Sequence, residues 1–139
     1  MRLPEQAKRK VVADWLLKAQ NDFGLVEFLV DQGGVFPSQI AFHCQQAAEK
    51  YLKAFLTWFE VIFPKTHDLE VLLNLVAGVN AGMAKELWHV IVLTPYGVEM
   101  RYPGDRPEVT VEEAREAVEL ARLVRERVMG VLPGGEKGT

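Results

Sequence analysis

Three long stretches of the chain carry apolar residues at alternating steps of three and four, and nowhere does a β-type alternation persist. This spacing places apolar side chains along one side of an α-helix, where they form a seam towards a core. It predicts long helices over about residues 5–31, 37–60 and from residue 110 to about 130. The predicted seams are Val12, Leu16, Ala19, Phe23, Val26 and Val30; Ala41, Cys44, Ala48, Tyr51, Leu52, Phe55 and Phe59; and Val111, Ala114, Val118, Ala121, Val124 and Val128.

Local signals mark where the long helices begin and end. Gly33 and Gly34 suit the left-handed conformation that follows a helix, and Pro37 suits a first helical turn. Thr110 and Glu113 have the spacing of a capping box, in which each side chain satisfies a backbone N–H of the other.

Two shorter helices are predicted between the second and last long ones. Thr66-His67-Asp68 offers N-cap chemistry for a helix through about Ala77, and a further helix runs from about Ala84 to Leu93, before Thr94-Pro95. The fold class is therefore all-α. We expect an antiparallel up-and-down helical bundle of about five helices, three long and two short.

Length and composition fit one globular domain. The chain has 139 residues, of which 49% are hydrophobic, enough for a core without disulfides. We predict a single domain over residues 1–132 and a flexible C-terminal tail over 133–139. The single cysteine, Cys44, cannot form an internal disulfide and lies at core spacing, so we interpret it as a small core residue.

The net charge of -3 argues against a nonspecific coat on nucleic acid, which requires a clustered positive surface. The N-terminus has no apolar segment of the signal-peptide type, and no apolar run approaches the length of a bilayer-spanning helix. These features predict a cytoplasmic protein with no membrane partner.

One side of the second helix is polar. His43, Gln46, Lys50 and Lys53 are spaced three, four and three, so they lie within a stripe about 80° wide. Gln39 and Thr57 extend the same line. Lysine ammonium groups, an imidazole and an amide can together bind phosphate. The alternative interpretation is an ordinary solvated helix face.

A polar loop from about Tyr96 to Pro107 is the second candidate region. It carries Glu99, Arg101 and Tyr102 among glycines and prolines. Arg101 can pair with Glu99, with Asp22 of the first helix, or with a phosphate. The alternative to a phosphate site is an Arg–carboxylate pair that pins the loop to the bundle.

Four segments together resemble the HEPN family. They are Lys18-Ala-Gln-Asn-Asp22, the helix-two segment from Ala41 to Ala54, Thr66-His-Asp-Leu69, and Arg101-Tyr-Pro103. The resemblance spans about residues 10–130. It implies an α-helical bundle, commonly dimeric, and in many small prokaryotic members a pairing with a minimal nucleotidyltransferase, often as a toxin–antitoxin system. It also implies nucleotide binding, and many branches are metal-independent ribonucleases.

The ribonuclease branches of the family use an Arg followed by four to six residues and then a His, and this chain lacks that pattern. None of His43, His67 and His89 has an Arg at that distance upstream. A ribonuclease would need a noncontiguous site that combines Arg101 with His43 or His67.

Three hypotheses follow from the residues and the resemblance. The leading one is a regulatory or nucleotide-binding subunit, homodimeric and paired with a minimal nucleotidyltransferase, with a nucleotide or RNA as ligand and no cofactor or metal required. The second is a metal-independent ribonuclease. The third is a purely structural network in which Asp22 neutralises Arg101 or Lys53. The candidate ligand-binding residues are Asp22, His43, Gln46, Lys50, Lys53, His67, Arg101 and Tyr102, and no catalytic residue is assigned.

Overall fold

The computed structural model describes residues 4–97 and 108–133. In this part of the chain it has five α-helices and one 3-10 helix. They are α1 (Glu5–Asp31), α2 (Pro37–Trp58), α3 (Leu69–Ala77), α4 (Ala81–Glu86), the 3-10 helix (Trp88–Gly97) and α5 (Val111–Val131). No strand occurs within these residues, and the prediction of an all-α bundle with three long and two short α-helices is confirmed.

Helix α2 is the central element. It packs against α1, α3, the 3-10 helix and α5. Because neighbours cover it on several sides, 14 of its 22 residues are buried, including the polar residues Gln45, Glu49, Lys53 and Thr57. The apolar majority of these buried residues forms the middle of the core.

Helix α1 runs antiparallel to α2. Lys8, near the start of α1, forms an ion pair with Glu60 just beyond the end of α2, whereas Asp22 pairs with Lys50 in the middle of α2. The turn between the helices contains Gly33 and Gly34, both with positive φ, as the sequence predicts for a helix C-terminus.

Helix α5 also runs antiparallel to α1, and it therefore runs in the same direction as α2. Its first turns share a cleft with Gly34 and Ile40, while Leu132 at its end lies beside Arg9 and Trp58. The chain between residues 59 and 110 returns to the starting end of the bundle, which makes this arrangement possible.

The predicted capping interactions are present. Thr110 accepts a hydrogen bond from the Glu113 backbone N–H, and the Glu113 side chain accepts one from the Thr110 N–H. The Asp68 side chain caps α3 by accepting from the Glu70 N–H. Cys44 is a buried core residue, and burial raises the pKa of its thiol to about 12, so the thiol stays protonated and unreactive.

The predicted single helix over 84–93 is wrong. Asn80 caps α4 by accepting from the Met83 N–H, so that this helix begins at Ala81 and ends at Glu86. The 3-10 helix then continues through Pro95, where the prediction placed a stop. A 3-10 helix takes the place of the expected straight α-helix because its short turns follow the surface of α2.

Three predicted seam residues lie outside the core. Val30, Phe59 and Val111 are exposed because they occupy a last turn, a C-cap position and a first turn, where the neighbouring helix no longer covers them. Helix α2 ends two residues earlier than predicted, and Glu60 follows in the left-handed conformation at φ 57°.

Between residues 4 and 97 and between 108 and 133, no helix is both long enough and apolar enough to cross a membrane. The domain limits at residues 132 and 133 stay a prediction, and residues 134–139 of the predicted tail lie outside the described ranges.

Candidate functional site

An outer cluster joins α1 to the polar side of α2. Asp22 of α1 accepts from His43 Nδ1 at 2.8 Å through one carboxylate oxygen and from Lys50 Nζ at 2.5 Å through the other. The carboxylate side chain is 13% exposed, against 26% for the imidazole and 20% for the lysine. Asp22 therefore bonds both side chains where α1 packs against α2.

An inner cluster lies one to two turns further along α2. Glu49 binds Lys53 Nζ at 2.8 Å through Oε2, and His67 Nδ1 at 2.8 Å through Oε1. The ion pair is buried, since the two side chains are 4% and 8% exposed. Removing one partner of such a pair leaves an uncompensated buried charge, which costs about 3–5 kcal/mol.

Two glutamines connect the clusters to the surrounding backbone. Gln45 is fully buried, and its amide nitrogen lies 3.2 Å from Glu49 Oε1 and 3.0 Å from the carbonyl oxygen of His67. Its amide oxygen accepts from Gln46 Nε2 at 2.7 Å. Gln46 thus lies between the outer and the inner cluster along the polar stripe of α2. In the described residues, no buried polar side-chain atom lacks a hydrogen-bond partner.

Both imidazoles are oriented in the same way. An ionised carboxylate can only accept, so Nδ1 of His43 and of His67 must carry the proton that it donates. Within the described part of the chain neither Nε2 has a hydrogen-bond partner. His67 is 71% exposed although Glu49 beneath it is buried. A carboxylate that fixes Nδ1 leaves Nε2 to accept a proton or, on the imidazolium, to donate one.

The residues around His67 explain its position. Thr66 Oγ1 accepts from the Asp68 N–H, and the Asp68 side chain begins α3. The helix cap is therefore Asp68, and the His67 ring remains available to turn towards Glu49. The Leu69 N–H donates to Thr94 Oγ1, which fixes this segment against the 3-10 helix.

The 3-10 helix ends directly against the inner cluster. A Cβ placed on Gly97 would lie 2.5 Å from Gln45 Oε1 and 2.6 Å from Gln45 Cδ. Only a residue without a side chain allows this approach. Gly97 is thus the point where the segment preceding the Arg101 loop contacts the cluster.

The structure places the predicted site residues in two groups. Asp22, His43 and Lys50 form the outer cluster, and His67 and Lys53 meet through Glu49 in the inner one. Arg101 and Tyr102 lie outside the described residues, and their roles stay predictions.

Two expectations about Lys53 are wrong. It does not lie on a solvated stripe but is buried, with its ammonium group against the Trp15 and Phe63 rings. Nor is it the partner of Asp22, which bonds Lys50 instead. Because α1 and α2 are antiparallel, Lys53 lies beside Trp15, about two turns before Asp22.

Sequence reasoning missed Gln45 and Glu49. Both are buried polar residues of α2 that flank its apolar side, and each is indispensable to the hydrogen bonds of the inner cluster. The signal available was the spacing of Gln45, Glu49 and Lys53 at successive steps of four. Such a row is normally a surface feature, and only the central position of α2 makes it a core feature.

Metal binding has no support in the described ranges, where no three residues of the types His, Cys, Asp and Glu come together as a metal site. The inner cluster also shows why: Lys53 already occupies one oxygen of Glu49, and His67 the other. The groups present suit proton transfer and hydrogen bonding to a polar ligand.

A family model for the HEPN domain matches residues 12–131. The match covers most of the chain, including α2 and both clusters, and the chain belongs to the HEPN family. No curated protein and no solved structure shows a significant match to it.

Replacing Gly97 by alanine should destabilise the protein. The added methyl group would overlap the Gln45 amide, which is bonded on both sides, and overpacking of this kind costs about 1–3 kcal/mol. Thermal unfolding should show a melting temperature several degrees lower. Gly24→Ala in α1 is the control, because a Cβ there meets nothing within 4 Å and alanine favours a helix. Equal stability of Gly97→Ala and wild type would contradict the close packing.

Proposed function

We propose that this HEPN protein is a cytoplasmic, noncatalytic regulatory subunit that binds a nucleotide and pairs with a minimal nucleotidyltransferase, as in a toxin–antitoxin system. The observation that carries the binding proposal is the pair of carboxylate-held imidazoles. His43 and His67 each keep Nδ1 engaged and offer Nε2 to a ligand. An imidazolium Nε2–H can donate to a phosphate oxygen, and a neutral Nε2 can accept from a ribose hydroxyl.

The charge balance of the two clusters favours a small ligand over a long polyanion. Asp22 offsets Lys50, and Glu49 offsets Lys53. Affinity for extended nucleic acid depends on a row of uncompensated cations that replace condensed counterions. Here the donors are few and directional, which suits one phosphorylated ligand bound by hydrogen bonds.

A thermal-shift titration with ATP, GTP, CTP and UTP, with and without magnesium, tests nucleotide binding. A ligand at about a hundred times its dissociation constant adds roughly 2.7 kcal/mol to the free energy of unfolding, which raises the melting temperature by several degrees. The shift should be lost in His67→Asn and reduced in Lys50→Met.

His89→Asn is the matched control for this titration. His89 is also exposed and paired with a carboxylate, that of Glu116, but it lies on the 3-10 helix. It should respond like wild type. No shift with any nucleotide, or the same shift in His67→Asn, would count against the proposed site and favour a purely structural role for the clusters.

Association with protein partners is supported by the outward side of α1. Leu17 and Phe28 are both nearly 60% exposed, and Leu25 on the same side is 40% exposed. Exposed large apolar side chains that lie together mark association surfaces. We propose that this side of α1 carries the homodimer contact.

Light scattering tests the homodimer. The wild type should have twice the chain mass of 15.7 kDa, and Phe28→Glu should shift it towards a monomer because a buried charge opposes the contact. Val79→Glu, in the exposed turn between α3 and α4, is the control. A monomeric wild type would refute the homodimer.

Recovery of a nucleotidyltransferase with the tagged protein from its own cell extract tests the second partner.

The Glu49–His67 pair favours one second candidate, a metal-independent ribonuclease with a noncontiguous site. With Nδ1–H held by Glu49, Nε2 can accept the proton of a ribose 2′-hydroxyl as that oxygen attacks phosphorus. The phosphorus–O5′ bond then breaks, and the leaving oxygen takes a proton from a second acid, for which the His43 imidazolium is the candidate.

RNA incubated with the pure protein in EDTA separates this candidate from the leading one. The ribonuclease predicts cleavage that is lost in His67→Asn and His43→Asn and retained in His89→Asn. Arg101→Ala should also abolish it if Arg101 stabilises the phosphorane. Intact RNA after prolonged incubation would leave the noncatalytic proposal standing.

A further inference from the structure

An apolar pocket lies beside Lys53 of the inner cluster, whose ammonium group is close to two of the pocket's aromatic rings. It has a volume of about 460 Å³, within the range of small-ligand sites. Its walls come from α1, from the end of α2 and from the segment that follows it. They include Val11, Trp15, Val61, Ile62 and Phe63, with two polar residues, Thr57 and Glu60, the second of which is paired with Lys8.

The pocket and the histidine site share one ion pair. The Trp15 and Phe63 ring centroids are 6.2 Å apart, and Lys53 Nζ lies 5.4 Å and 5.9 Å from them. The same ammonium group bonds Glu49, which bonds His67. The aromatic wall and the exposed imidazole are therefore connected through two side chains.

We propose that this pocket receives the base of a nucleoside polyphosphate whose phosphates bind at His67, an inference that rests on the proposed nucleotide binding. The size admits a nucleobase, and an indole ring offers the flat face on which any base stacks. Phe63 and His67 are four residues apart, which limits their Cα separation to about 14 Å. A nucleotide with two or three phosphates spans such a distance.

The composition of the pocket favours a base over a purely aliphatic ligand. Two of its walls are aromatic rings, and the Lys53 cation behind them polarises both. The Thr57 hydroxyl can donate to or accept from a polar base edge. Sequence-independent stacking of this type tolerates different bases, so we expect weak discrimination among the four nucleotides.

Trp15 provides a direct reporter in the full-length protein. In the double variant Trp58→Phe and Trp88→Phe it is the only tryptophan, and a stacked base should quench its fluorescence. ATP should quench it saturably, with a midpoint equal to the dissociation constant from calorimetry. Tripolyphosphate, which has no base, should bind at the histidine site without quenching.

Ile62→Asp tests the pocket without disturbing the core, because Ile62 is 82% exposed at its rim. It should weaken ATP binding by about tenfold or more, as expected when one stacked base is lost, and change tripolyphosphate binding far less. Val79→Asp is the matched control, since Val79 is an exposed apolar residue that lines neither the pocket nor the proposed dimer contact. It should leave both affinities unchanged.

The outcomes separate this inference from the proposed function. Calorimetric binding of ATP with unchanged Trp15 fluorescence, and with equal affinity in Ile62→Asp and Val79→Asp, overturns the pocket assignment while nucleotide binding stands. No heat with ATP or tripolyphosphate overturns both. If Ile62→Asp weakens the quenching by ATP and Val79→Asp does not, the pocket is the base site.

Discussion

The buried ion pair between Glu49 and Lys53 determines how the side chains around it are arranged. Both side chains lie on the central helix α2, nearly out of contact with water. A charge in this position is tolerated only if each remaining hydrogen-bonding site is used. His67, Gln45 and the two aromatic rings beside Lys53 meet that demand. The segment after α2, the start of α3 and the end of the 3-10 helix are all fixed by it.

Much of the fold was predictable because it depends on local rules. The α1 bounds, the capping box at Thr110 and the cap at Asp68 all follow from the types of adjacent residues. The region from Asn80 to Gly97 was harder, since its path depends on the surfaces that it covers. There a short α-helix packs against α3 and a 3-10 helix packs against α2, in place of one straight helix.

The sequence identified several residues of the candidate site, but it did not show which of them contact one another. The polar stripe identified His43, Lys50 and Lys53 because all three lie on one side of a helix. A helical projection contains no information on which neighbours cover that side. The antiparallel direction of α1 brings Asp22 to Lys50 and Trp15 to Lys53. The sequence did not indicate a role for Glu49, because its partner His67 is 18 residues away in the chain.

Stability alone does not explain the inner cluster. A buried ion pair is often no more stabilising than apolar residues of similar volume, and 10 of the 14 buried residues of α2 are apolar. A bundle selected only for stability could fill this position with leucine. What the ion pair adds is an oriented, exposed imidazole above a buried carboxylate, with an aromatic pocket beside the same lysine. The HEPN match over residues 12–131 includes Glu49, Lys53 and His67, and the cost of burying their charges is consistent with the binding role that we propose for them.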